Sequence, residues 1–328
     1  MAEILVVATE VAQALREGAP VVALESALIT HGLPRPLNLD VAREMEETVR
    51  QEGAVPATIA VLEGRPCVGL SREQMERLAA ELAPVKISLR DLPAAVARGA
   101  TGGTTVAATM HLAHRAGLRV FATGGIGGVH RGHPEDVSAD LPALASIPMV
   151  VVCAGAKAIL DLPRTLEMLE TLGVPVVGYG TDTLQAFTSP TSGLSLPLRA
   201  DSPEEVAAMA RARDALGLRA ALLVTVPVPE DAGIPWAEAR SEIEAAVADA
   251  EAQGIRGPAL TPYLLARLAW QTDGRSLRAN RALLVQNARI AARIACSMGK
   301  PPGHKDTKIC ESTAKTNRRE RRERRDFL

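Results

Sequence analysis

The sequence predicts an α/β fold with a helical C-terminal third. Short, wholly apolar runs of strand length recur along the first two thirds: PVVAL at 20–24, VFAT at 120–123, MVVVC at 149–153 and AALLVTV at 220–226. Helical patterns alternate with them from about residue 20 to residue 226, without a linker-like break. That alternation is the signature of a sheet whose faces are covered by crossover helices. Beyond it, residues 234–253, 261–271 and 276–297 read as helices with no further strand between them.

The elements follow in order. Residues 5–17 read as a short helix, and 20–24 as a strand leading into Glu25-Ser26. Residues 38–51 form a helical pattern and 58–62 a strand. Ser71, with Gln74 three positions on, marks a capping box for a helix over 71–82. Residues 86–88 read as a strand, and another helix begins at Pro93. The segment Thr101-Gly102-Gly103-Thr104-Thr105 opens a helix that ends near Gly117. Free amides and threonine hydroxyls at such a start suit a phosphate, and equally an ordinary capped helix. After the 149–153 strand, AGAK enters a helix expected over 157–173. Residues 174–179 are the next strand, and 181–197 a polar, proline-bearing connection. Ser202 with Glu205 caps a helix that runs to Gly217. Asn280 and Asn287, seven apart, share one face of the last helix.

Composition narrows the function. Hydrophobic residues are 47% and charged residues 23% of the 328, as in a globular protein with a sizeable core. Aromatics are only 2%, which argues against nucleic-acid binding by base stacking. No apolar run approaches the roughly 20 residues of a membrane helix. The N-terminus carries acids early and lacks a basic region, so no signal peptide is expected. Cys67, Cys153, Cys296 and Cys310 lack a metal-site spacing and read as free thiols in a reducing cytoplasm. Residues 300–328 hold four Lys, six Arg and five acids, a net +5, which leaves −6 on the other 299. That tail is expected to be disordered. No folded basic face accompanies it, so the charge split does not make the protein a nucleic-acid binder. The expected organisation is one α/β catalytic domain over 1–299 and a basic tail over 300–328.

Lysine usage points to chemistry. Before residue 300 there are two lysines, Lys86 and Lys157, against 25 arginines. Arginine does not lose its proton in proteins, whereas a lysine amine can be made neutral and nucleophilic. Lys157 follows an apolar strand and a turn of small residues. Glu25 ends another strand. The stretch 120–161 directs a glycine cluster at 124–128, the carboxylates Asp136 and Asp140, and Lys157 toward one place. Open α/β sheets build their sites there, at the carboxyl ends of strands. The glycines do not fit G-x-G-x-x-G in register, which argues against a dinucleotide. His111 and His114 lack a nearby third ligand for a metal.

The segments VVALESALITHG, EGAVPATIAVLEG, LRDLP, GGTTVAATM, VFATGGIGGVHRG, SADL, VVCAGAKAILD, TPYLLARLA and NRALLVQNARIAARIA, in this order, resemble the pseudouridine-5′-phosphate glycosidase family, which includes proteins associated with indigoidine biosynthesis. The likeness runs from about residue 10 to residue 298. It implies a three-layer α/β/α sandwich on a central mixed, mostly parallel sheet, a cytoplasmic homotrimer, and one divalent metal per subunit, usually manganese. It also implies reversible cleavage of the C–C glycosidic bond of pseudouridine 5′-phosphate to uracil and ribose 5-phosphate. Carried over position by position, the nucleophile is Lys157, the acid Glu25, the sugar-phosphate lysine Lys86 and the metal carboxylate Asp136. Substrate contacts fall on Val106 beside Thr105, on Ser138-Ala139-Asp140, and near the base and sugar on His130 and Asn287. The HRGHPEDVSAD loop is shorter than the family pattern, which leaves Glu135 beside Asp136 as a second metal candidate. The residue types suit the reaction. A C–C bond offers no heteroatom to protonate, so a carboxylate pair alone is insufficient, and an amine can carry C1′ of an opened ribose as an iminium. The alternative reading is another Schiff-base lyase or aldolase on a sugar phosphate.

Overall fold

The computed structural model describes residues 4–255 and 260–299. The chain begins with β1 (Val6–Val7), α1 (Thr9–Glu17) and β2 (Val21–Glu25), then a π-helical turn at Leu28–Gly32. Next come α2 (Leu37–Gln51), β3 (Val55–Leu62), β4 (Arg65–Val68), α3 (Arg72–Ala80) and β5 (Val85–Ile87). A 3-10 turn at Leu89–Asp91 leads into α4 (Leu92–Ala97), β6 (Gly102–Thr104), α5 (Val106–Arg115) and β7 (Val120–Ala122). The hairpin β8 (Val129–His130) and β9 (His133–Val137) precedes α6 (Asp140–Ser146), β10 (Val150–Cys153) and α7 (Leu162–Thr171). Then follow β11 (Val176–Tyr179), β12 (Leu198–Ala200), α8 (Pro203–Ala215) and β13 (Leu222–Thr225). The long helices α9 (Trp236–Ala252), α10 (Leu260–Gln271) and α11 (Arg275–Met298) end the described chain.

The main sheet runs β1-β4-β3-β2-β7-β10-β13-β11-β12, with β6 on the far end of β3 and β5 beside β6. Its pairings are parallel except β3 with β4 and β3 with β6, so the sheet is mixed and mostly parallel. The central strands β2, β7, β10 and β13 are apolar because both faces are covered; each side chain of β7, β10 and β13 is buried. Helices α2, α8 and α11 pack together on the sheet as one layer, and α5, α6 and α7 pack together as another. The expected α/β/α sandwich is thus present. Helix α11 lies close against the sheet through small buried residues, among them Ala288, Ala291, Ala292 and Ala295.

Register places the site. Val22 pairs with Val120, Val120 with Val150, and Val150 with Leu222, so the central strands end level. From β2 the chain moves one way to β3, and later returns to β7 on the other side of β2. The reversal opens a crevice between the carboxyl ends of β2 and β7, where open α/β sheets bind their ligands.

The structure corrects several expectations. Residues 6–7 are a strand, and the helix expected over 5–17 starts at Thr9. The strand expected at 58–62 begins at Val55 and is followed by β4, which the sequence reading left out. The helix expected over 157–173 begins only at Leu162. Asp161 caps it, its carboxylate accepting from Arg164 N at 3.1 Å. Both capping pairs hold: Gln74 N donates to Ser71 Oγ and Glu205 N to Ser202 Oγ, each at 3.2 Å. Cys67, Cys153 and Cys296 are free thiols, and burial pushes that of Cys153 up to about 12. Cys310 and the rest of the 300–328 tail lie outside the described residues. No helix among the described residues is long and apolar enough to cross a membrane.

Candidate active site

Glu25 stands at the end of β2 with its backbone in the ladder, Cα-paired with Ile59 of β3. Its Oε1 accepts a hydrogen bond from Thr123 Oγ1, just past β7, so the bond spans the switch-point crevice. Burial pushes the Glu25 carboxyl above the ordinary glutamate range. The positive charge of Lys157 and the Thr123 hydroxyl oppose that shift without cancelling it. The next residue, Ser26, is fully buried; its Oγ donates to Ile59 O at 2.5 Å and accepts from Thr104 N at 3.0 Å. Glu25 is therefore set on a fixed backbone.

Lys157 reaches the same crevice from the loop between β10 and α7. That loop is held by Ile126 N to Gly155 O at 3.1 Å, Lys157 N to Ile126 O at 3.1 Å, and Leu160 N to Lys157 O at 2.9 Å. Gly155 has φ +78°, and a Cβ there would stand 2.7 Å from Gln185 O, so the turn that presents Lys157 requires glycine. Arg131 ties the β8–β9 hairpin to the loop, its Nε donating to Leu160 O at 3.0 Å.

Lys86 projects from β5 into the cleft and is exposed as a residue. Surrounding protein atoms, and next the like charge of Lys157, hold it below the ordinary lysine range. His130 is likewise lowered by burial, against the pull of the Asp136 carboxylate.

Two adjoining clefts meet here. Leu28, Leu33, Phe187 and Leu284 line the first, with His31 and Asn280. The second is polar, lined by Ser88, Arg90, Thr105, His130, Asp136 and Ser138, with Val106, Ala139 and Asp140 beside them. Glu25, Ala27, Lys86 and Lys157 line both. The Thr105 Oγ1 is buried and has no hydrogen-bond partner in the protein.

Most of the expected site residues thus meet at one place, although three play roles that spacing did not reveal. Asp140 is buried and its two oxygens are occupied, Oδ1 accepting from Ala107 N at 3.0 Å and Oδ2 from Gly127 N at 2.8 Å. It bolts the start of α5 to the glycine loop. Part of the helix N-terminus read as a phosphate cradle is consequently spent on a carboxylate of the protein. Asn287 is fully buried; its Nδ2 donates to Thr123 O at 2.8 Å and Gly124 O at 3.4 Å, and it lines neither cleft. Asn280, two turns earlier on α11, is the amide that reaches the cleft. Val106 is buried as the first residue of α5. Thr123, Phe187, His31, Ser88 and Arg90 were not singled out from the sequence, although His31, Arg90 and Thr123 lie inside segments that carry the family likeness.

A metal finds modest support. Among the described residues no group of three or more His, Cys, Asp or Glu side chains is placed to hold one. Asp136 is exposed on β9 and faces the polar cleft, while Glu135 beside it pairs with His133 at 3.4 Å. One free carboxylate in a wet cleft fits a hard cation that keeps most of its water, and does not fit a closed protein cage.

Comparison with known proteins accords with this geometry. The model of the family described as Indigoidine synthase A like protein matches residues 10–297. The pseudouridine-5′-phosphate glycosidase of Paracoccus denitrificans (strain Pd 1222) is 57% identical over 302 residues, covering 91% of this chain and 99% of that protein. The protein of the same name from Methylobacterium nodulans is 57% identical over 293 residues, 89% and 87% of the two chains. Among solved structures, a prealnumycin C-glycosynthase in complex with ribulose 5-phosphate superposes with a TM-score of 0.84 at 41% identity, covering 91% and 98%. An indigoidine synthase A-like protein from Thermotoga maritima gives 0.83 at 36% identity with the same coverage. The chain belongs to the Indigoidine synthase A like protein family.

Proposed function

We propose that this chain is a pseudouridine-5′-phosphate glycosidase working through a Schiff base on Lys157. The observation that carries the reading is the meeting of Lys157, Lys86 and a Glu25 carboxyl raised by burial at the boundary between an apolar and a polar cleft. The names of close relatives supply the substrate. The polar cleft takes the ribose 5-phosphate part, with phosphate near Lys86, Ser88, Arg90 and the unpartnered Thr105 hydroxyl. The apolar cleft takes the base.

The steps balance without an outside oxidant or reductant. The Lys157 amine attacks C1′, the C1′–O4′ bond breaks, Glu25 gives its proton to O4′, and the proton shed by the attached nitrogen passes to the Glu25 carboxylate. Glu25 delivers that proton to C5, the nitrogen lone pair forms the C1′=N bond as the C1′–C5 bond breaks, and the pair of the broken bond re-forms C5=C6, so that uracil leaves neutral. Water adds to the iminium and releases ribose 5-phosphate and the free lysine. Asp136 would hold a divalent cation, manganese in the family likeness, which supplies positive charge beside the sugar phosphate. His130 and Ser138 flank that place.

We also place the protein in the cytoplasm as a homotrimer. Trp270 is 73% exposed, with the Arg267 guanidinium 4.8 Å above its ring, an apolar surface that assembly can cover. Incubation with pseudouridine 5′-phosphate and manganese should release uracil and ribose 5-phosphate in equal amounts. Absence of uracil, or cleavage within the sugar carbon chain, would replace this reading with that of an aldolase.

A further inference from the structure

We propose that Phe187 is a specificity-determining residue, the face on which the departing pyrimidine stacks; this rests on the reading that the apolar cleft receives the base. Three non-glycine residues among those described have positive φ: Glu63, Asp273 and Phe187. The first two are exposed polar residues. Phe187, at φ +57°, is a bulky side chain in the left-handed region, where backbone strain tends to mark function. The surroundings enforce it. Phe187 N donates to Ala154 O at 3.1 Å, Ala186 and Ser189 exchange two backbone hydrogen bonds of 3.1 Å, and Ile234 N donates to Thr188 O at 2.9 Å.

The strained backbone delivers the ring to a definite place. The ring packs on the glycine loop that follows β7: a Cβ on Gly125 would lie 2.8 Å from its Cδ2, and one on Gly124 would lie 3.5 Å from its Cε2. The loop gives up side chains where the ring lies. Phe187 is 5% exposed yet lines the cleft that Glu25 and Lys157 share. In a chain with only seven aromatic residues, it is the one aromatic among the described residues that lines either cleft. The chemistry needs a flat apolar face. Uracil leaves as a planar ring whose C5=C6 bond re-forms as the C1′–C5 bond breaks. Stacking holds that plane and is tolerant of the edge contacts made elsewhere.

Two variants separate this role from folding. Phe187→Leu keeps an apolar side chain on the same backbone, and Phe187→Gly removes the left-handed strain. Uracil inhibition of cleavage is compared with borohydride trapping of ribose 5-phosphate on Lys157 in the absence of uracil. Phe187→Leu should weaken uracil inhibition roughly tenfold or more, the scale of base-on-aromatic stacking, and leave sugar trapping unchanged. Phe187→Gly should lose uracil in the same way but melt lower than the parent, since a buried ring lost costs more than the strain relieved. Unchanged uracil inhibition in Phe187→Leu, or an equal loss of trapping and inhibition, overturns the platform. A parent chain that traps no sugar overturns the glycosidase reading, and this inference with it.

Discussion

Glu25 holds its proton to higher pH than an ordinary glutamate because burial outweighs the groups that favour its charge, Lys157, the Thr123 hydroxyl and Lys86. The folded-state pKa is therefore raised. Its favourable contribution to stability is full below the unfolded value and is lost as pH rises through the folded one. Glu25→Gln should accordingly cut turnover about 100-fold, the scale of a general acid, yet melt higher than the parent at pH 8, with the difference shrinking toward pH 4. Equal turnover would make Glu25 a bystander, and a lower melting point at pH 8 would reverse the electrostatic account. Asp140 is a different kind of residue. Asp140→Asn leaves one acceptor for two buried amides, Ala107 and Gly127, which should cost roughly 1–3 kcal/mol in urea denaturation. The sequence exposed both lysines because arginine dominates the body, and exposed Glu25 by its strand-end place. It could not separate Asn280 from Asn287, which share a helix face; only packing decides which turn of α11 meets the cleft. Thr123 went unnoticed because a β-branched residue after a strand looks like filler.

At the scale of elements, the central strands and the capped helices were legible because apolar runs and Ser-x-x-Gln or Ser-x-x-Glu signals are local. The failures were non-local. The helix that the pattern predicts from Lys157 begins five residues later, because Ala156 and Leu160 instead bridge to Ile126 and His130, contacts set by distant chain. The strands β1 and β8 have two residues each, too few for a periodic signal, and β4 and β9 carry prolines and charges that hide theirs. The most informative contact between elements is that of α11 with the loop after β7, through Asn287. Asn287→Ala removes the donor to two backbone carbonyls, of Thr123 and Gly124. A loss of roughly 1–3 kcal/mol in stability is expected, together with a fall in kcat, since Thr123 carries the hydroxyl that orients Glu25. A stability loss with unchanged kcat would confine Asn287 to holding the helix.

For the molecule as a whole, one topological fact organises the site: the order in which the chain adds strands reverses between the parallel β2 and β7, and Glu25 and Thr123 face each other across that point. No described residue of the site lies beyond 299, so removal of residues 300–328 should leave turnover intact; loss of activity would return weight to a binding role for the basic segment. Sedimentation should show three copies of the 34.5 kDa chain, and a monomer at working concentration would contradict the trimer. Asp136→Ala should abolish the response of turnover to manganese, because the cleft offers a hard cation few other free carboxylates; a normal response would move the metal to Glu135. The central claim is the covalent one, and borohydride added during turnover tests it most directly. The account predicts a reduced sugar-phosphate adduct on Lys157, located by peptide mass, with loss of activity, and no adduct or turnover in Lys157→Arg, which keeps the charge but cannot form the imine. An adduct on Lys86, or ready turnover by Lys157→Arg, would contradict it.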